Sequence, residues 1–285
     1  MKTVRQILWI AKCQYRRFWN IKNVFLMICS VVFLGESIIH KMLEVSQETG
    51  LVLNYLEPVI LVMSDAFYAM IIPITCLVLL SNFPDNSSSG IFMMVRVKRK
   101  NWLLGQLLYG ICVCSTYMIT LFAGSILWIG KYGEFSLTWS TFMTEIRNSF
   151  PEIYAISTEV FIPSSTLTQG TPVQVFLISM GLMLLYMLTF SQILCAFKLV
   201  NRKKTGMVVC VAVTIIGAAL ISAVGNYKWL IPMAHAIFGL HFREFYAQSE
   251  CRILWSVIYF LIWNAVLLII NSYLMRKCQI GDERE

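Results

Sequence analysis

Six apolar stretches alternate with short basic segments along the chain, and each is long enough to cross a bilayer. A hydrocarbon core takes about 20 consecutive apolar residues of helix. The stretches run over residues 23–43, 59–81, 103–129, 173–197, 206–226 and 252–275. Composition agrees: 58% of residues are hydrophobic, 13% are charged and mean hydropathy is +0.70. A water-soluble domain of 285 residues cannot bury that much apolar surface. The sequence predicts an all-α membrane protein with six transmembrane helices in one domain, 23–275, flanked by segments 1–22 and 276–285.

The basic residues set the expected orientation, because Lys and Arg beside a span resist translocation. Most of the 23 fall in four segments that share one side if both ends are inside. These hold Lys2, Arg5, Lys12, Arg16, Arg17 and Lys22, then Arg96, Lys98, Arg99 and Lys100, then Lys198, Arg202, Lys203 and Lys204, then Arg276, Lys277 and Arg284. Most of the acids lie in the opposite segments. The expectation is a multi-pass plasma-membrane protein with both termini cytoplasmic. The net charge of +8 then reports topology rather than nucleic-acid binding. Trp19 and Trp102 are expected at the inner interface, and Trp128, Trp229 and Trp255 at the outer one.

Residues 3–20 carry a helical pattern with Val4, Ile7, Leu8, Ala11, Tyr15 and Phe18 on one face and cations on the flank and opposite side. Such an amphipathic helix serves as an interfacial membrane anchor touching lipid, as a lever against a cytoplasmic subunit, or as both.

The inner loop between the second and third stretches reads Asn82-Phe83-Pro84-Asp85 through Gly90-Ile91-Phe92-Met93-Met94-Val95 to Arg96, Lys98, Arg99 and Lys100. Pro84 stops the preceding span, and Asp85 to Ser89 offer N-caps for a helix too short to cross the membrane. Its apolar residues need lipid or a partner groove to pack on.

Here the chain resembles the permease subunits of type-2 ABC exporters. The resemblance is carried by Asp85, Gly90, Arg96, Arg99, Lys100, Trp102 and Gly105, with Gln106 where lysine is common, and it extends over most of the chain. It implies a short cytoplasmic coupling helix at Asp85–Lys100, with Ile91, Phe92 and Met94 toward separate ABC ATPase subunits, and a second permease copy or homologue. It further implies a bacterial plasma membrane. The chain contains no G-x-x-x-x-G-K-[ST] loop, so ATP and Mg are expected on the partner ATPase, and this chain is expected to bind no cofactor and to catalyse nothing itself. The resemblance also places re-entrant outer helices between spans five and six, in 227–251. There the apolar run 229–240 is too short to span.

Two carboxylates fall inside apolar stretches, Glu36 and Asp65, each roughly 9 Å below the outer surface at 1.5 Å per residue. They are candidates for a substrate cavity taking a cationic, amphipathic or peptide-like molecule, such as an antimicrobial peptide. The alternative is pairing with His40 or Lys41, or snorkelling outward. Gln192, Asn264 and Asn271 are expected to hydrogen-bond between helices. The outer loop 130–172 interleaves Glu134, Glu145, Glu152 and Glu159 with Phe135, Trp139, Phe142, Phe150, Tyr154 and Phe161, and either binds a peptide or covers a dimer. His241 and Glu244, with His235, fall short of a metal site and read as surface groups meeting lipid headgroups. Nine cysteines include a single one in the outer segments, Cys251, so no external disulfide is expected within one chain. An ATPase-independent secondary transporter and a sensory or scaffold subunit are the competing classes.

Overall fold

The computed structural model describes residues 2–84, 96–221, 226–242 and 249–277. Of the residues that the resemblance assigns to coupling, Asp85, Gly90, Ile91, Phe92 and Met94 lie outside these, as do Glu244 and most of the tail 276–285.

The amino-terminal helix α1 (Lys2–Phe18) packs along the start of α6 (Arg99–Ile129), running in the same direction. Asn101 Nδ2 donates to Gln6 Oε1 at 2.8 Å, Ile10 rests on Gly105, and the Tyr15 and Thr116 hydroxyls meet at 2.7 Å. The side of α1 against α6, with Ile10, Ala11, Gln14 and Phe18, is therefore occupied by protein. Val4, Leu8 and Trp9 remain exposed.

The first predicted span is longer and less regular than the pattern suggested. It comprises α2 (Ile21–Leu34), a π-helical turn at Gly35–Ile39 and α3 (His40–Thr49). Two glycines bring it close to α6. A Cβ on Gly124 would stand 2.3 Å from Val31, and one on Gly35 would stand 2.6 Å from Trp128. Small residues at such points let helix backbones approach inside a bilayer.

The second predicted span is broken. Helix α4 (Glu57–Ser64) and α5 (Ala66–Leu79) meet at 92°. Asp65 is extended and its carboxylate caps α5, accepting from Phe67 N at 2.9 Å and Tyr68 N at 3.0 Å. With 14 residues, α5 is about 21 Å long, short of a 30 Å core.

Three further long helices follow: α10 (Pro172–Leu199), α11 (Lys203–Ile221) and α13 (Ile253–Lys277). Five helices are long and apolar enough to cross a membrane, or six segments if the bent pair counts as one. Helix α10 is the hub, touching α4, α5, α6, α11 and α13. Its seam with α13 carries the expected polar groups. Gln192 Nε2 donates to Asn264 Oδ1 at 2.7 Å, Asn264 Nδ2 to Thr189 Oγ1 at 2.9 Å, and Asn271 Nδ2 to the Gln192 carbonyl at 3.0 Å.

Between α6 and α10 the outer loop is folded. It contains α7 (Thr141–Ser149), α8 (Pro151–Ile156) and α9 (Ser164–Leu167). A two-residue parallel pairing joins β1 (Leu53–Asn54) to β2 (Gly133–Glu134). Several of its aromatics form a core of their own: Phe142 and Phe161 are buried, with Tyr154 against Phe161 at 4.9 Å. The segment before α13 folds as 3-10 turns at Asn226–Leu230 and Phe238–His241 around α12 (Pro232–Ala236).

Two interface assignments change. Trp102 is fully buried against its neighbours rather than at a lipid boundary, whereas Trp19 and Trp255 are exposed. His235 and His241 are buried too, not surface groups.

Candidate functional site

The inner loop is the first place the sequence directs attention, and its two ends are described. On the amino side, Phe83 is buried and stacks on Tyr109 with ring centres 6.0 Å apart. Lys198, in the last turn of α10, donates to the carbonyls of Asn82 and Pro84. On the carboxyl side, Arg99 at the start of α6 donates to the Met275 carbonyl at 3.0 Å and the Arg276 carbonyl at 2.9 Å. Those carbonyls belong to the last described turn of α13. Two cations thus tie the ends of α5 and α6 to the ends of α10 and α13. Arg96 and Lys100 are exposed beside this junction.

The two carboxylates singled out within the apolar stretches both stand at departures from regular helix. Glu36 lies in the π-helical turn, and Asp65 lies at the bend. Both are exposed on this chain. The elements that carry them touch: the Tyr68 hydroxyl, one turn beyond Asp65, donates to the Ser37 carbonyl at 3.4 Å. Neither takes the pairing that would have neutralised it. His40 faces Glu44 at 3.3 Å, and Lys41 faces Glu159 at 3.4 Å. Behind the π turn and the bend, a small apolar cavity of about 20 Å³ is lined by Val31, Leu34, Val62, Met63 and Met118 among others. It admits about one water. At the depth expected from the sequence, an exposed carboxylate would call for a polar surrounding, from water in a cavity or from a partner chain.

No family model, curated protein or solved structure matches the chain.

Residues the sequence did not single out complete the picture. Glu57, at the start of α4, is fully buried. Its Oε1 accepts from Ser140 N at 2.8 Å, and its Oε2 accepts from Ser140 Oγ at 2.7 Å and Asn54 N at 3.1 Å. One carboxylate therefore fastens the outer loop to the bent span. The pairing of Glu57 with Ser140 crosses 83 residues, so no local pattern announces it. His235 and His241, read from the sequence as surface groups, instead converge on Ser256. Among the described residues, no three His, Cys, Asp or Glu side chains are placed to hold a metal ion.

Proposed function

We propose that this chain is the membrane subunit of an ATP-driven exporter of the type-2 ABC kind, with six spans and both termini cytoplasmic. Separate ATPase chains drive it, and a second permease copy or homologue completes the pathway. The observation that supports this reading is the double clamp at the inner loop. Force applied to residues 85–95 is delivered at Pro84 to Lys198 and at Arg99 to the end of α13, so a push on one loop moves four helix ends together. That is the mechanical requirement on a segment that converts closure of a nucleotide-binding partner into rocking of spans.

The transported molecule, in this reading, meets Glu36 and Asp65. Two exposed carboxylates at a π turn and a bend suit a cationic amphipathic peptide better than an anion or a neutral lipid, since each acid is free of a protein cation among the described residues. π-helical turns recur at functional sites because they disturb the regular hydrogen-bond ladder where a helix must yield.

The coupling role is tested by replacing Ile91, Phe92 and Met94 with Asp. Loss of transport, with expression and ATPase recovery measured alongside, is the expected result. Transport at the original rate would overturn the assignment of residues 85–100 to coupling.

A further inference from the structure

The chain has three histidines, and two of them sit where the outer segment 226–242 meets α13. His235 keeps 6% of its surface exposed, and His241 and Ser256 keep none. Each imidazole is oriented by backbone. His235 Nε2 lies 2.9 Å from the Trp229 carbonyl, and His241 Nδ1 lies 3.0 Å and 3.1 Å from the carbonyls of Ile237 and Phe238. A carbonyl can only accept, so these nitrogens hold the ring hydrogens. The remaining nitrogens, His235 Nδ1 and His241 Nε2, are then both acceptors when the rings are neutral. They point at one hydroxyl, Ser256 Oγ, at 2.8 Å and 2.7 Å. A hydroxyl has one hydrogen, so it satisfies one ring and leaves the other without a full donor. The docked arrangement has a weak point built into it.

Among the described residues, no side chain beside the two rings is placed to balance a charge. The Trp229 ring lies 5.3 Å and 5.2 Å from the two imidazoles, and Tyr259 stacks on His235 at 4.1 Å. Lys228 is ion-paired with Glu250 at 2.6 Å, and Arg252 is exposed. Glu57, on α4, is spent on Asn54 and Ser140. Tyr186 of α10 and Cys210 of α11 are buried titratable groups on elements packed against the segment, and Tyr227 within it is exposed. No carboxylate hydrogen-bonds to or ion-pairs with either ring among the described residues. Burial first, and for His241 the nearby Lys228 cation as well, disfavour the charged rings: His235 is held below the ordinary histidine value and His241 at about 4.

We propose that His235 and His241 form a proton-binding site whose occupancy releases the outer segment 226–242 from α13. Neutral rings dock the segment through Ser256. Protons enter fully only when the rings leave the pocket and regain an ordinary pKa of about 6.5. The docked state binds fewer protons, so docking is strongest above that value and weakens as pH falls below it. Going from pH 7.5 to 5.5 multiplies the ratio of open to docked segment by about 10 for one proton taken up and about 100 for two. The inference holds whether or not the chain is an exporter.

The test uses the full chain in lipid nanodiscs with histidine ring carbons labelled. Three signals result, and His40 outside the pocket serves as the reference. Amide exchange over residues 229–242, corrected for the intrinsic effect of pH and referred to α10, gives the opening ratio. The expected result is a 10- to 100-fold rise in opening at pH 5.5, accompanied by proton uptake at His235 and His241. His241→Gln should reduce the rise to about tenfold or less, and adding His235→Gln should abolish it. A wild-type rise of less than about threefold would overturn the proposal without recourse to any variant. So would stronger protection at pH 5.5, which would mean that one proton bridges the rings through Ser256 and holds the segment closed.

Discussion

Asp65 performs two jobs that a single substitution separates. Its carboxylate caps α5 through two backbone amides, and its charge faces outward at the bend. Removing the side chain altogether loses an N-cap, at about 1 kcal/mol. Asparagine keeps a capping oxygen while removing the charge. In the exporter reading, Asp65→Asn therefore lowers resistance to a cationic peptide with thermal stability within about 0.5 kcal/mol of the parent, whereas Asp65→Ala lowers both. Equal resistance in the Asn variant and the parent would leave Asp65 as a cap alone. The sequence pointed to this residue because a carboxylate in an apolar run is costly, and that much was legible. The cap was not foreseen, since it required reading Ser64-Asp65 as the end of one helix and the start of another rather than as the middle of a span. His235 and His241 were misplaced for a related reason. Isolated histidines in and beside a short apolar run read as surface groups until Ser256, on another helix, supplies the hydroxyl between them.

At the scale of elements, the long helices were legible and the breaks were not. Apolar length is a property of composition and survives any packing, so α6, α10, α11 and α13 fall close to the stretches read from the sequence. A π turn and a 92° bend depend on what the helix meets, Trp128 at Gly35 and the cap at Asp65, and such contacts are invisible in one sequence. The outer loop shows the same division. Its aromatics suggested a functional surface, yet Phe142 and Phe161 are consumed by the loop's own core. What secures that loop is Glu57. Glu57→Ala strands the buried amides of Asn54 and Ser140 and the Ser140 hydroxyl, at about 1–3 kcal/mol for each buried unsatisfied group. The expected outcome is a loss of about 3–5 kcal/mol in thermal stability with faster proteolysis within residues 130–172. Glu57→Gln, which keeps one acceptor oxygen, should cost less. A loop that resists protease equally in both variants would mean that the apolar contacts of Phe142 and Met143 hold it without the carboxylate.

For the whole molecule, orientation decides which of these features can work together. The two clamps at Lys198 and Arg99 lie at one end of the helices, while Glu57, the outer loop and the histidine pair lie toward the other. The positive-inside rule assigns the first end to the cytoplasm. In that orientation, and in the exporter reading, an ATPase would reach residues 85–95 and the histidines would sample the pH outside the cell. The assignment is testable with two of the chain's own cysteines, Cys251 ahead of α13 and Cys278 in the tail, each kept singly with the others replaced by Ser or Ala. A membrane-impermeant maleimide applied to intact cells should label the Cys251 variant and leave the Cys278 variant unlabelled until the cells are permeabilised. The reverse pattern would place the basic segments outside. The inner loop would then be out of reach of any cytoplasmic ATPase, and the exporter reading would fall. The proton-binding site would survive that outcome, but it would respond to the pH of the cytoplasm.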